Sequence, residues 1–254
     1  MDPKNNDVLI VKNGRKYMDN LVGSVKKHGK GKANVSFIDV KDVLGKKPEY
    51  FDKYKAVVLS GGGGSETKAH KYIMDNVNKN ATVVGVCRGH QYIAEVFGGK
   101  VEHLGNRQKG SKKIEVEKED SLFKYEEGDL YDDTKQLDVY KDHIQGVTDA
   151  GELEVLASST VDTKKGKQRI AEVIKHKDRE IYGIQAHPEM GGHGTHVLNN
   201  ILDKMYEKPS EVKEKKEEKA EGSKYDTKIH EFASPQQKDK DVGYEAPEQM
   251  DRAA

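Results

Sequence analysis

The only cysteine of the chain, Cys87, lies in "VVGVCRGHQYIAEVFGG" (83–99) with Gly85 and Gly89 on either side, as G-x-C-x-G. A run of small and β-branched apolar residues precedes it, and a segment with helical spacing follows. The pattern predicts a strand ending at Val86, a helix beginning near Gly89, and Cys87 on the turn between them. This is the layout of a nucleophile elbow with cysteine in place of serine. The turn is tight, so its neighbours must lack bulk. The free N–H groups and positive potential of a helix N-terminus stabilise a thiolate. A lone cysteine is often no more than a small core residue; the two glycines and the strand–turn–helix context point instead to a nucleophile.

A thiol nucleophile needs a base, and the base needs a group to orient it. "IYGIQAHPEM" offers His187 directly after a predicted strand, Pro188 fixing the backbone, and Glu189 two residues on. Cys87, His187 and Glu189 would act as Ser–His–Asp does elsewhere. A surface turn could carry the same His-Pro-Glu, and the elbow earlier in the chain gives it meaning. Acyl transfer also needs donors for an oxyanion. "VVLSGGGGSET" places a glycine loop after another strand, and the N–H groups of Gly62 and Arg88 are the candidate pair. A dinucleotide loop would need glycine at 66 or 67, which are Glu and Thr, and a P-loop would need Gly-Lys-Ser/Thr in register. A plain flexible turn is the alternative. His187, His193 and His196 lack the spacing of a metal set, so no metal is expected.

These groups must be positioned by a framework, and the chain of 254 residues is long enough for one α/β domain with a tail. Segments 7–11, 35–40, 56–60, 81–86 and 181–186 read as short buried strands. Between them, Met18, Leu21, Val22 and Val25, and then Ala69, Ile73 and Val77, recur at helical intervals. Alternating strands and helices predict a doubly wound, mostly parallel sheet with helices on both faces. Residues 112–175 read as shorter strands forming a small antiparallel extension, and "NRQKGSKK" (106–113) as a solvated or partner-facing loop. His143 falls on a predicted loop. A closing helix carries Val197, Leu198, Ile201, Leu202 and Met205 on one face, with Thr195 as its candidate N-cap. The domain is expected over 1–206. From 207 to 254 dense mixed charge with few apolar residues predicts a disordered tail.

Only 34% of the chain is hydrophobic, and Lys+Arg and Asp+Glu are equal at 44 each. That balance gives no electrostatic reason to expect nucleic acid or an anionic membrane. No run approaches the roughly 18 apolar residues of a membrane span, and the N-terminus lacks the pattern of a signal peptide. One cysteine cannot form an internal disulfide, so a reducing, cytoplasmic location is expected.

Taken together, "SGGGGS", "GVCRGHQYIAEVFGGKVEHLG" and "IYGIQAHPE" resemble the class I, triad-type glutamine amidotransferases over roughly residues 7–205, most closely their GMP-synthase glutaminases. The resemblance implies a doubly wound sheet and hydrolysis of L-glutamine to glutamate and ammonia through a γ-glutamyl thioester on Cys87. His187 would be base and then acid, Glu189 its orienting group, and Gln91 would help hold the substrate; His143, on its predicted loop, reads equally as a substrate neighbour or a surface residue. No cofactor is implied, and ammonia would pass to a separate synthetase (ATP-pyrophosphatase) subunit. There are departures. Arg88 stands where leucine is common, and Ala186 where a bulky aromatic is usual. The segment that commonly reads Ser-His-x-Asp-x-Val is "DHIQGV" (142–147), which puts Asp142 at the serine position and Gln145 at the aspartate position. Cys-Arg-Gly and His-x-Gln-x-Val are closer to the gamma-glutamyl-gamma-aminobutyrate hydrolases, stand-alone enzymes of the same superfamily. A non-catalytic regulatory protein with the same fold is a third reading, against which the intact Cys87, His187 and Glu189 argue.

Overall fold

A computed structural model describes residues 7–28, 33–64, 66–125, 128–164 and 166–206. The expected tail, 207–254, and Ser65 of the glycine loop lie outside the described residues. The elements run β1 (Asp7–Lys12), α1 (Met18–His28), β2 (Asn34–Asp39), α2 (Glu49–Asp52), β3 (Ala56–Leu59), α3 (Thr67–Asn76), β4 (Thr82–Val86) and α4 (Arg88–Val96). They continue as β5 (Lys100–Val116), β6 (Lys124–Tyr125), β7 (Gly128–Asp129), β8 (Gln136–Asp149), β9 (Glu154–Thr163), β10 (Gly166–Lys175), β11 (Ile181–Ile184) and α5 (His193–Asp203). Among the described residues, no helix is long and apolar enough to cross a membrane.

A nine-stranded sheet runs in the order β2-β1-β3-β4-β11-β10-β8-β5-β9. From β2 to β11 the neighbours are parallel, as the alternation of strand and helix predicts. Successive residues of a strand face opposite sides, and here both sides are covered. Val8, Ile10, Val58 and Val84 pack with Leu21 and Val25 of α1 and with Leu198 and Ile201 of α5. Leu9, Val11, Val57 and Val83 pack with Ile73 and Met74 of α3 and with Ile93 and Ala94 of α4. These strands are therefore continuous apolar runs rather than alternating ones.

The antiparallel part is larger than the sequence suggests. β5 has 17 residues and β8 has 14, against four to six in each parallel strand. β5 pairs with β8, and β9 with β10, as two long ribbons. Short seams join β5 to β9 and β8 to β10, closing the four strands into a ring. "NRQKGSKK" is thus not a loop but the middle of β5, and His143 lies on β8 rather than on a loop. Within the ring, Lys141 of β8 donates to Glu172 of β10 and to Ser159 of β9, at 2.5 and 2.9 Å. Both charged side chains are buried. Burial raises the Glu172 carboxyl, but the Lys141 ammonium beside it and further partners outweigh this and hold it below its ordinary range.

Candidate active site

The predicted strand–turn–helix is present. β4 ends at Val86, α4 begins at Arg88, and Cys87 sits between them with φ 51° and ψ −102°. A positive φ is costly for a residue with a Cβ. It is held by packing: a Cβ on Gly85 would lie 2.4 Å from the Gly89 backbone, and one on Gly89 would lie 2.2 Å from the Leu59 carbonyl oxygen. The elbow therefore exists only because the strand, helix and neighbouring strand approach through bare backbone. The Cys87 N–H donates to the Ile184 carbonyl at 2.8 Å, tying the turn to β11.

β11 is the parallel neighbour of β4, with Ile184 opposite Val86. His187 follows it and so emerges beside Cys87. Its N–H donates to the Tyr140 carbonyl at 2.8 Å, fixing the turn against β8. Pro188–Met190 forms one 3-10 turn, which brings Glu189 back so that its Oε1 lies 2.8 Å from His187 Nδ1. All three side chains are shielded from water. Burial lowers the affinity of the imidazole for a proton. The neighbouring Cys87 and the Glu189 carboxylate outweigh that and raise His187 from 6.5 to about 10. The arrangement favours a protonated imidazole beside Cys87. Gly61 leaves room for it, since a Cβ there would lie 3.1 Å from His187 Cε1.

A cavity of about 210 Å³ opens over Cys87. That is below the ~300–1,000 Å³ of pockets for drug-sized ligands, so it suits a small substrate. Gly62 and Arg88, the expected oxyanion pair, both line it. Gln91 and His143 line it too, but the polar atoms of Gln91 are engaged within the protein. Its Oε1 accepts from Arg88 at 3.0 Å, and its Nε2 donates to the Gln145 carbonyl and Gln185 Oε1 at 2.9 and 3.1 Å. His143 Nδ1 lies 2.8 Å from the Gln145 carbonyl, and burial pushes the imidazole toward its neutral form.

Arg88 explains its own departure from leucine. Its guanidinium donates to the Gly64 carbonyl at 2.9 Å, stacks over Tyr92 at 4.2 Å and pairs with Glu95 at 3.6 Å. It braces the glycine loop from inside. Thr195 is not a helix cap, because α5 starts two residues earlier. Instead its hydroxyl donates to the Pro188 carbonyl at 2.7 Å and ties α5 to the His187 turn. His193 accepts from the Asp138 N–H, and His196 rests edge-on against Tyr125, so the three histidines do not converge.

Three residues at the site were missed by sequence reasoning. Asp142 and Arg107 line the cavity, and Tyr17 reaches over His187 from the turn between β1 and α1. Asp142 carried one signal, its place in the departing "DHIQGV"; Arg107 and Tyr17 carried none.

Residues 9–205 match the family model described as glutamine amidotransferase class-I. A glutamine-hydrolyzing GMP synthase subunit of Methanococcus vannielii is 31% identical over 196 residues, covering 76% of this chain and 94% of that protein. The protein of the same name from Methanocaldococcus jannaschii is 29% identical over 197 residues, covering 76% and 95%. A glutamine amidotransferase structure from Thermotoga maritima superposes with a TM-score of 0.57 at 16% identity, covering 80% of this chain and 98% of that one, and so shares the fold. The chain belongs to the class I glutamine amidotransferases.

Proposed function

We propose that this chain is the glutamine-hydrolysing subunit of a cytoplasmic synthetase of the GMP-synthase type. It would release ammonia from L-glutamine and pass it to a separate ATP-pyrophosphatase subunit. The observation that carries this reading is the hydrogen bond from His187 to Glu189 beside Cys87, with Cys87 on a strained turn beneath a small cavity. The names of the two archaeal relatives support the choice of partner, and each relative is nearly the length of the matched region.

The geometry supports the following reaction. The Cys87 thiolate attacks the side-chain amide carbon of glutamine, and the carbonyl oxygen becomes an oxyanion facing the N–H groups of Gly62 and Arg88. The His187 imidazolium gives its proton to the amide nitrogen. The C–N bond breaks, ammonia leaves, and a γ-glutamyl thioester remains on Cys87. Neutral His187 then takes a proton from water, whose hydroxide attacks the thioester carbon. The C–S bond breaks, glutamate departs, and the thiolate and imidazolium are restored. Glu189 accepts from Nδ1 throughout, which leaves Nε2 to carry the proton.

A second reading, a stand-alone γ-glutamyl hydrolase, is favoured by one observation. Arg88 braces the glycine loop within this chain, so the cavity is assembled without a partner. One experiment separates the two. Ammonia release from L-glutamine is measured for the purified chain alone and with a GMP-synthase-type ATP-pyrophosphatase subunit, alongside gamma-glutamyl-gamma-aminobutyrate. Slow release that rises when the second protein is added supports the first reading. Fast turnover of the γ-glutamyl amide by the chain alone replaces it with the second, and no turnover in any arm overturns both.

A further inference from the structure

The catalytic imidazole is fixed at one nitrogen by Glu189, but a single hydrogen bond leaves the ring free to swing about it. Something else must hold the plane. Tyr17 meets that need. Its ring lies 4.7 Å from the His187 ring at an interplanar angle of 69°. The Tyr140 ring lies 6.3 Å from that of Tyr17, nearly perpendicular to it. Tyr17 has φ 58°, and with Cys87 and Lys135 it makes up the non-glycine residues of positive φ among those described. Such a conformation persists only where the surroundings enforce it.

The enforcing group is Asp142. The Tyr17 hydroxyl donates to Asp142 Oδ2 at 2.9 Å, the Lys16 ammonium donates to the same oxygen, and Arg107 Nε donates to Oδ1 at 2.6 Å. The Asp142 side chain has no exposed surface. Burial raises its carboxyl, but Lys16, Arg107 and Tyr17 together hold it far below the ordinary carboxylate range. It is therefore a permanent anion, with two cations and a phenol gathered on it. One short hydroxyl at this position could not gather all three. The aspartate turns the segment between β1 and α1 into a strap drawn across the catalytic histidine.

We infer that Tyr17 is a positioning residue for His187, and that Asp142 is the anchor that holds it there. This rests on His187 being the proton carrier of the proposed reaction. Edge-to-face contact between aromatic rings has a preferred geometry, so the contact selects an orientation as well as excluding water. The side chains set against the imidazole are then Cys87, Glu189 and Tyr17.

The test uses the full chain and three variants: Tyr17→Leu, Tyr17→Phe and Asp142→Ser. kcat and KM for glutamine are measured together with the imidazole NMR resonances of His187 in the resting protein. Tyr17→Leu is expected to lower kcat about ten- to hundredfold, the scale set by small misplacements of a catalytic group, with KM unchanged. The His187 resonances should shift. Tyr17→Phe keeps the ring and should restore most of kcat. Asp142→Ser unties the ring without removing it and should broaden the same resonances with a smaller fall in kcat. It provides the test should Tyr17→Leu fail to fold. Unchanged kcat and unshifted His187 resonances in Tyr17→Leu or Asp142→Ser overturn the inference. So does a loss in Tyr17→Phe equal to that in Tyr17→Leu. If the wild-type protein releases no ammonia under any condition, the glutaminase reading fails. The His187 resonances still decide whether Tyr17 sets the ring.

Discussion

The parallel and antiparallel parts of the sheet serve the site in different ways. The parallel strands are short and buried on both faces, and they deliver side chains from the turns at their ends: Cys87 after β4, His187 after β11, the glycine loop after β3. The antiparallel strands are long, and they deliver side chains from their middles: Arg107 from β5, Asp142 and His143 from β8. The first part supplies the proposed reacting groups and the second supplies the wall. Turn positions are set by local backbone geometry, whereas wall positions are set by the register of strands far apart in the chain.

The sharpest way to break this division is at the nucleophile. Cys87→Ala should reduce ammonia release by at least about 10³-fold while leaving the folded protein intact, as read by steady-state assay and circular dichroism. Retained activity would remove Cys87 from the reaction. The wall should respond in the opposite manner. Lys141→Ala leaves the buried Glu172 carboxylate without its cation, and such a loss costs on the order of 3–5 kcal/mol. Denaturant unfolding should show it, with activity per folded molecule retained. Replacing Lys141 and Glu172 together by methionine should recover much of the loss.

Glu189→Gln comes next. It should lower kcat by roughly a hundredfold, less than removing the nucleophile, because the imidazole loses its charged partner but keeps its place. It should also lower the pKa of His187 from about 10. That value fixes a sign. Folding raises the affinity of His187 for its proton, so the protonated ring contributes stability in full below its ordinary value of 6.5. The contribution is lost as pH rises through about 10. Unfolding free energy measured across pH 7–11 should therefore fall with pH, and fall less steeply in Glu189→Gln. The smallest effect is expected from Arg88→Leu. It removes hydrogen bonds to Gly64 and Gln91 and should raise KM by up to about tenfold with kcat retained.

The same division explains what was legible in the sequence. Cys87, His187 and Glu189 each follow a continuous apolar run, and strand, turn and helix signals agree there. The glycines beside Cys87 could be read because close backbone approach allows no other residue. The wall offered no such agreement. Most side chains of β5 face water, so "NRQKGSKK" carries the composition of a loop while pairing as a strand. The β5–β8 register also shifts between His103 and Gln108, which breaks any period-two pattern. Lys141 reads as a surface residue, and only the Glu172 carboxylate across the ring makes it an interior one. Tyr17 lies in a turn whose importance comes entirely from Asp142, distant in sequence.

The ring formed by β5, β8, β9 and β10 has a mechanical consequence. A row of strands ending in an open edge can splay at that edge one hydrogen bond at a time. Here β9 turns back onto β10, so the outermost ribbon is anchored along its length and has no loose margin from which to peel. The cavity wall behaves as a hoop. Two ribbons and an ion pair across the interior set its diameter, and it widens only when a seam between the ribbons opens. The cavity over Cys87 is thus backed by a wall that is closed on itself.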